Sequence, residues 1–194
     1  VAAQEVSENI GGSGAELVAE VNSGRVLYEY NADVSLPMAS TTKILTALIV
    51  IEDCDPDAVV TVPPECVGVE GSSVYLTAGE KIKVKDLLYG LMLRSGNDCA
   101  ETLAVYHSGT VDRFAVCMNE RASALGATGS RFKNPHGLPD PEHYTTARDL
   151  AVIACAAMKN ETFKEIVSAR SAVVPDGGCG YVRELVNKNK MLYR

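Results

Sequence analysis

The run Pro37-Met38-Ala39-Ser40-Thr41-Thr42-Lys43, continuing as Ile44-Leu45-Thr46-Ala47-Leu48-Ile49-Val50-Ile51-Glu52, decides how the rest of the chain is read. Beyond Ser40 the apolar residues Ile44, Leu45, Leu48 and Ile51 recur at helical spacing, which predicts a helix whose first turn carries Ser40 and Lys43. Residues three apart on a helix are neighbours on one face, so the lysine amine and the serine hydroxyl can meet. At a helix end where backbone N–H groups point outward, a lysine whose pKa is lowered by burial can take the hydroxyl proton, and the serine becomes a nucleophile. The same letters also arise from an ordinary serine N-cap followed one turn later by a solvated lysine. The remainder of the chain has to decide between the two.

Working outward, 194 residues suffice for one domain with a sizeable core, and 46% hydrophobic with 22% charged residues is an ordinary globular composition. A net charge of −7 with no basic run argues against a nucleic-acid partner. No apolar stretch reaches the length of a membrane span, and no signal peptide is legible at Val1, so a secreted protein is expected here in its mature form. The six cysteines, Cys54, Cys66, Cys99, Cys117, Cys155 and Cys179, form no C-x-x-C pair and resemble neither a zinc site nor a dense disulfide framework. Cys117 and Cys155 are expected on buried helical faces as small hydrophobes; one or two disulfides stay open.

Residues 1–14 lack periodicity and are expected to be a loose leader. Ala15–Val21 and Arg25–Tyr30 read as strands joined by a turn at Asn22-Ser23-Gly24, a further extended piece at Val59–Val62 ends at Pro63-Pro64, and Val74–Leu76 with Ala78–Glu80 reads as a short hairpin. Helical spacing then runs from Val84 to Ser95-Gly96-Asn97, from Asp98 to Tyr106, Val111 to Ala124, Thr146 to Met158 and Glu161 to Val167, with a structured loop at 132–144 rich in Pro, Gly, Asn and His. Strands followed by helices predict a mixed α and β fold with a helical lobe after the Ser40 helix.

Ser95-Gly96-Asn97 falls between two helical patterns, where its side chains can project from a loop. A hydroxyl there could relay protons, while the Asn97 amide could bind a substrate amide or orient Lys43; a plain helix stop and restart would look the same. Ser7-Glu8-Asn9 fits Ser-x-Asn as well, in the leader. Ser-x-x-Lys paired with Ser-Asp-Asn is a catalytic signature of penicillin-binding proteins and β-lactamases, and Ser95-Gly96-Asn97 resembles the glycine form of the second element. Together with Leu87–Asn97 (LLYGLMLRSGN), Asn134–Leu138 (NPHGL) and His143–Leu150 (HYTTARDL), the order and spacing resemble the D-alanyl-D-alanine carboxypeptidases, the low-molecular-mass penicillin-binding proteins, from about Ala15 to the C-terminus.

The resemblance implies a β-lactamase/transpeptidase-like fold and acyl transfer without metal or cofactor. Ser40 would attack the carbonyl between the last two D-alanines of a peptidoglycan stem peptide, with Lys43 as general base, Ser95 as proton relay, Asn97 as substrate-amide ligand and the Ser40 N–H as one oxyanion donor; penicillins would acylate the same serine. It also implies an extracytoplasmic, cell-envelope setting with peripheral membrane attachment through a region outside this sequence. The family's third motif, Lys-Thr-Gly, does not occur in the sequence. The expectation is therefore a catalytic domain over 15–194 that stops before the Lys-Thr-Gly strand, leaving a sheet edge and an apolar face uncovered, so that this chain alone is expected to be poorly active or inactive unless another copy or a separate chain supplies the missing strands. Two rival readings are a noncatalytic binder of peptidoglycan or of a partner, and a class A β-lactamase; Glu142 lacks the asparagine four residues on that the lactamase loop carries. His136 and His143 find no third metal ligand at useful spacing and are expected to hold loop geometry, His107 to be structural, and Arg148 and Asp149 to form ion pairs at a helix start.

Overall fold

The computed structural model describes residues 13–193; the leader, up to residue 12, and its Ser7-Glu8-Asn9 lie outside them. Among the described residues the fold is mixed α and β, with three two-stranded antiparallel sheets and six α-helices. β1 (Glu16–Ala19) and β2 (Val26–Tyr30) form the expected hairpin. A 3₁₀ turn, Ala39–Thr42, leads into α1 (Lys43–Asp53), so Ser40 lies in the turn and Lys43 opens the α-helix, one step later than the spacing implied.

α1 is apolar on nearly every side, and a helix of that kind has to be surrounded. Leu45, Ala47, Leu48, Ile49 and Val50 are at most 2% exposed, and α2 (Val84–Arg94), α3 (Asn97–Ser108), α4 (Val111–Leu125), α5 (Ala147–Ala157) and α6 (Glu161–Ser168) all pack against it. The enclosing helices begin at caps the sequence supplies. Thr110, Thr146 and Asn160 side chains accept from Arg113 N, Asp149 N and Phe163 N, satisfying amides that have no partner within the helix. α3 and α4 stop at Gly109 and Gly126, both left-handed.

The hairpin expected at 74–80 does not form. Lys81–Lys83 (β4) pairs instead with Val59–Thr61 (β3), because residues 73–76 are captured by a carboxylate: the fully buried Asp98 accepts from Ser73 Oγ (2.6 Å) and from the amides of Val74 and Leu76 (3.1 and 3.0 Å). The cysteine expectation is also corrected. Cys66 and Cys99 are the buried pair, Cys117 and Cys155 are half-exposed, and Cys155 lines an open cavity of about 630 Å³ beside Leu17, Val26 and Val152. All six thiols are free. Val18, Val26 and Leu27 remain exposed on the hairpin, and no described helix is long and apolar enough to cross a membrane.

Two strands that periodicity had not revealed, β5 (Ser171–Val174) and β6 (Arg183–Val186), pack on α2 and bring in Arg183. Its guanidinium pairs with both oxygens of Glu80, and its Nε donates to Val74 O at 2.9 Å. Side-chain exposure of 5% and 0% makes this a buried bidentate pair. Burial pushes Glu80 up, but the hydrogen bonds from Arg183 and from Thr77 outweigh it and hold the carboxyl below its ordinary range. The pair therefore stabilises the fold fully above the free-carboxylate range, and the contribution is lost as pH falls through the lowered folded value. Arg183→Met should strand Glu80 as an unpaired buried charge and cost about 3–5 kcal/mol in chemical denaturation at neutral pH; the loss should shrink in acid, where Glu80 takes a proton.

Candidate active site

The 3₁₀ turn is held in a shape that ordinary helix starts lack. Ala39, the residue before Ser40, has φ +47, a left-handed conformation unusual outside glycine. Its carbonyl accepts from Thr42 Oγ1 at 2.8 Å, and that hydroxyl lies 2.8 Å from His143 Nε2. Since His143 Nδ1 accepts from Lys133 N (3.0 Å), the ring carries its proton on Nε2 and donates to Thr42. Gly137, at φ +91, packs against the same peptide; a Cβ there would sit 1.9 Å from Ala39 O. The turn leaves Ser40 exposed while Lys43, one turn on, is 2% exposed.

Lys43 Nζ has three neighbours: Ser40 Oγ at 3.3 Å, Asn97 Oδ1 at 2.7 Å and His136 O at 2.7 Å. Asn97 is oriented without ambiguity, because its Nδ2 donates to Glu70 O, leaving Oδ1 for the lysine. Two of the three neighbours are thus carbonyl oxygens that can only accept. When the amine is neutral, its two N–H groups go to them, and the lone pair is left facing Ser40. Burial lowers the Lys43 pKa to about 8, and the nearby Lys188 ammonium pushes in the same direction. An amine poised near neutrality and aimed at a serine hydroxyl meets the geometric and protonation requirements of a general base.

Asn97 opens α3, and its own N–H donates to Ser72 O at 2.7 Å, so the 70–73 loop fixes both its backbone and its amide. Gly71 allows this approach, since a Cβ there would lie 2.9 Å from Asn97 Nδ2. Ser95 sits at the left-handed C-cap of α2 (φ +62), half-buried, and is not among the three groups that Lys43 bonds. The structure therefore brings Ser40, Lys43 and Asn97 into one hydrogen-bonded cluster and holds Ser95 at a strained turn two residues before Asn97.

The sequence had marked His136 as a loop histidine without indicating that its carbonyl grips Lys43. The Asn134-Pro135-His136-Gly137 run does more than turn: Pro135 O accepts from Thr46 Oγ1 (2.7 Å), Asn134 Oδ1 from Gly137 N (2.7 Å), and His136 Nδ1 from Leu138 N (3.1 Å). His136 is therefore protonated on Nε2, which lies 3.2 Å from Glu101. Burial, reinforced by the charge on Lys43, lowers its pKa to about 4 and keeps the ring neutral. His107 hydrogen-bonds Asp53, and Arg148 pairs with Asp33 and Glu29 at the start of α5. Among the described residues no cluster of His, Cys, Asp and Glu could hold a metal ion.

Comparison with known proteins gives this geometry a context. The sequence profile of peptidase S11, D-alanyl-D-alanine carboxypeptidase, matches residues 2–194. The D-alanyl-D-alanine carboxypeptidase DacF of Bacillus subtilis (strain 168) is 32% identical over 188 residues, covering 91% of this chain and 46% of that protein. A D-alanyl-D-alanine carboxypeptidase of Mycobacterium tuberculosis (strain ATCC 25618 / H37Rv) is 37% identical over 181 residues, covering 92% of this chain and 61% of its own. The chain thus spans roughly half the length of these curated relatives. A crystal structure of D-alanyl-D-alanine carboxypeptidase from Mycobacterium tuberculosis H37Rv superposes with a TM-score of 0.87 at 35% identity, covering 93% of this chain and 68% of that one. With a family profile spanning nearly every residue and a solved relative sharing the fold, the chain belongs to the peptidase S11 family, the D-alanyl-D-alanine carboxypeptidases.

Proposed function

We propose that residues 15–194 carry the nucleophile and base of a serine D-alanyl-D-alanine carboxypeptidase acting on peptidoglycan stem peptides, with Ser40 as nucleophile and Lys43 as its base. The observation that carries this reading is the buried Lys43 amine, fixed by two carbonyl oxygens and facing Ser40 at 3.3 Å. Lys43 takes the hydroxyl proton as Ser40 Oγ forms a bond to the carbonyl carbon between the last two D-alanines. The Ser40 N–H donates to the developing oxyanion. Collapse of the tetrahedral intermediate breaks the peptide bond, the proton passes through Ser95 to the leaving amine, and D-alanine departs. Water then hydrolyses the acyl-enzyme. Asn97 orients Lys43 through Oδ1 and, in this reading, is the ligand of a substrate amide.

β-Lactams, which mimic the D-Ala-D-Ala end, enter the same chemistry at Ser40. The site of action is then extracytoplasmic, in the cell envelope, where stem peptides are trimmed during wall biogenesis and the shaping of the cell; a secreted protein held peripherally at the membrane fits that placement. The sequence contains no Lys-Thr-Gly, so experiments on this chain report what the Ser40, Lys43 and Asn97 cluster accomplishes by itself. The noncatalytic reading differs in one outcome, the absence of a covalent adduct.

Intact-mass spectrometry after exposure to benzylpenicillin should show one adduct, absent in Ser40→Ala and in Lys43→Met; a folded wild-type chain without adduct would refute the reading for these residues. Because the neutral amine is the reactive form and Lys43 titrates at about 8, the acylation rate should rise with pH and level off near 9, a gain of roughly tenfold over pH 7. Gly137→Ala, which drives a methyl into the Ala39 carbonyl, should lower the acylation rate by about a hundredfold through misplacement of Ser40.

A further inference from the structure

Lys43 depends on two oxygens, and they are controlled by one helix. Asn97 and Glu101 are four residues apart on α3, hence stacked on one face. Asn97 reaches Lys43 directly (2.7 Å), whereas Glu101 Oε1 lies 3.2 Å from His136 Nε2, and the carbonyl of that histidine is the second oxygen on Lys43 (2.7 Å). The tautomer makes this link directional. With Nδ1 accepting from Leu138 N, only Nε2 carries hydrogen, and Glu101 is the acceptor placed to receive it. The His136 ring is thus pinned at both nitrogens, its side chain 6% exposed and that of Glu101 21%.

We propose that Glu101 is a positioning residue for the reaction: by fixing the His136 ring it fixes the His136 carbonyl, and so the direction in which the Lys43 lone pair points. The inference rests on Ser40 and Lys43 acting as nucleophile and base. A neutral amine with only the Asn97 acceptor can rotate about its last bond, spreading the lone pair over directions that miss Ser40; a second acceptor removes that freedom. Gly137, next to His136, packs on the Ala39–Ser40 peptide, so movement of the loop would also disturb the nucleophile. The titratable groups that face this arrangement are His136 and Cys66 around Glu101, and Asp98, Cys99 and Lys188 around Lys43. The carboxylate serves as a hydrogen-bond acceptor, and an amide oxygen of the same reach replaces it.

The test compares Glu101→Gln, Glu101→Ala, His136→Asn and the double variant Glu101→Ala/His136→Asn in benzylpenicillin acylation across pH, with thermal melts to verify folding. His136→Asn retains an acceptor for Leu138 N but drops the Glu101 link. Glu101→Ala should slow acylation roughly ten- to a hundredfold, Glu101→Gln should stay within about twofold of wild type with an unchanged pH midpoint, and the double variant should be no slower than the worse single variant, as members of one chain behave. Full activity in Glu101→Ala, equal losses in the Gln and Ala variants, or additive losses in the double variant would each overturn the proposal. Nitrogen NMR of the His136 ring gives a readout independent of acylation: the wild type should show an Nε2–H tautomer at neutral pH whose Nε2–H exchanges slowly with water, and Glu101→Ala should speed that exchange and shift the Nε2 signal by removing its acceptor. A ring that titrates like a free histidine in the wild type, or is unaffected by Glu101→Ala, would overturn it even if the variants fail to fold. Wild-type protein that takes no adduct would count against Ser40 and Lys43 as the reacting pair, and the ring signals alone would then decide the link.

Discussion

Everything at this site follows from placing an amine where water cannot solvate it. Lys43 opens α1, the helix that five others enclose, and its stem has no route to solvent. An ammonium so placed must either be compensated by charge or give up its proton more readily. Here the direct partners are neutral, a hydroxyl and two carbonyls. They satisfy the donors without supplying the counter-charge that would restore the ordinary lysine pKa. Hydrogen-bond satisfaction and electrostatic neutralisation are separated, and the separation leaves the lysine able to lose its proton near neutral pH.

The same economy governs the histidines. His136 and His143 are buried, neutral and pinned as Nε2–H tautomers by amides on Nδ1, so they serve as geometric fixtures. Between them they brace the two sides of the Ser40 turn: His143 through Thr42 to the Ala39 carbonyl, and His136 through its own carbonyl to Lys43. The left-handed Ala39 persists because the hydroxyl of Thr42 and the open face of Gly137 over-determine it.

The helices were legible because their caps and apolar spacing are local; α2 through α6 begin and end within a few residues of where the pattern put them. Ser40 and Lys43 were legible for the same reason, being three residues apart. What the sequence could not show was carried by long-range contacts. Asp98 captures residues 73–76 from across the fold, and a periodicity argument cannot see a carboxylate that competes with a strand ladder. β6 turns Arg183 inward beside Leu185, so its buried face does not read as apolar in the sequence, and β5 gains its strand identity from pairing with it. The backbone oxygen of His136 is invisible to any reading of side chains, and Glu101 looked like one more acidic residue on a helix. The misplaced cysteines have a related cause: an apolar helical stripe identifies an inward face, but only the packed structure shows that Cys155 borders an open groove while Cys66 and Cys99 go under.

The clamp of Arg183 on Glu80 and on the carbonyls of Val74 and Tyr75 joins positions more than a hundred residues apart in the chain. Those carbonyls belong to the segment that Asp98 gathers, next to the loop that fixes Asn97. Ser40, Lys43 and Asn97 leave the ribosome well before Arg183, so during synthesis Glu80 must wait, solvated or protonated, until the 103 residues of separation from Arg183 have been crossed. The loop beside Lys43 therefore gains this tie only after Ser40, Lys43 and Asn97 have all been made, as a contact of long sequence separation that forms after the local ones.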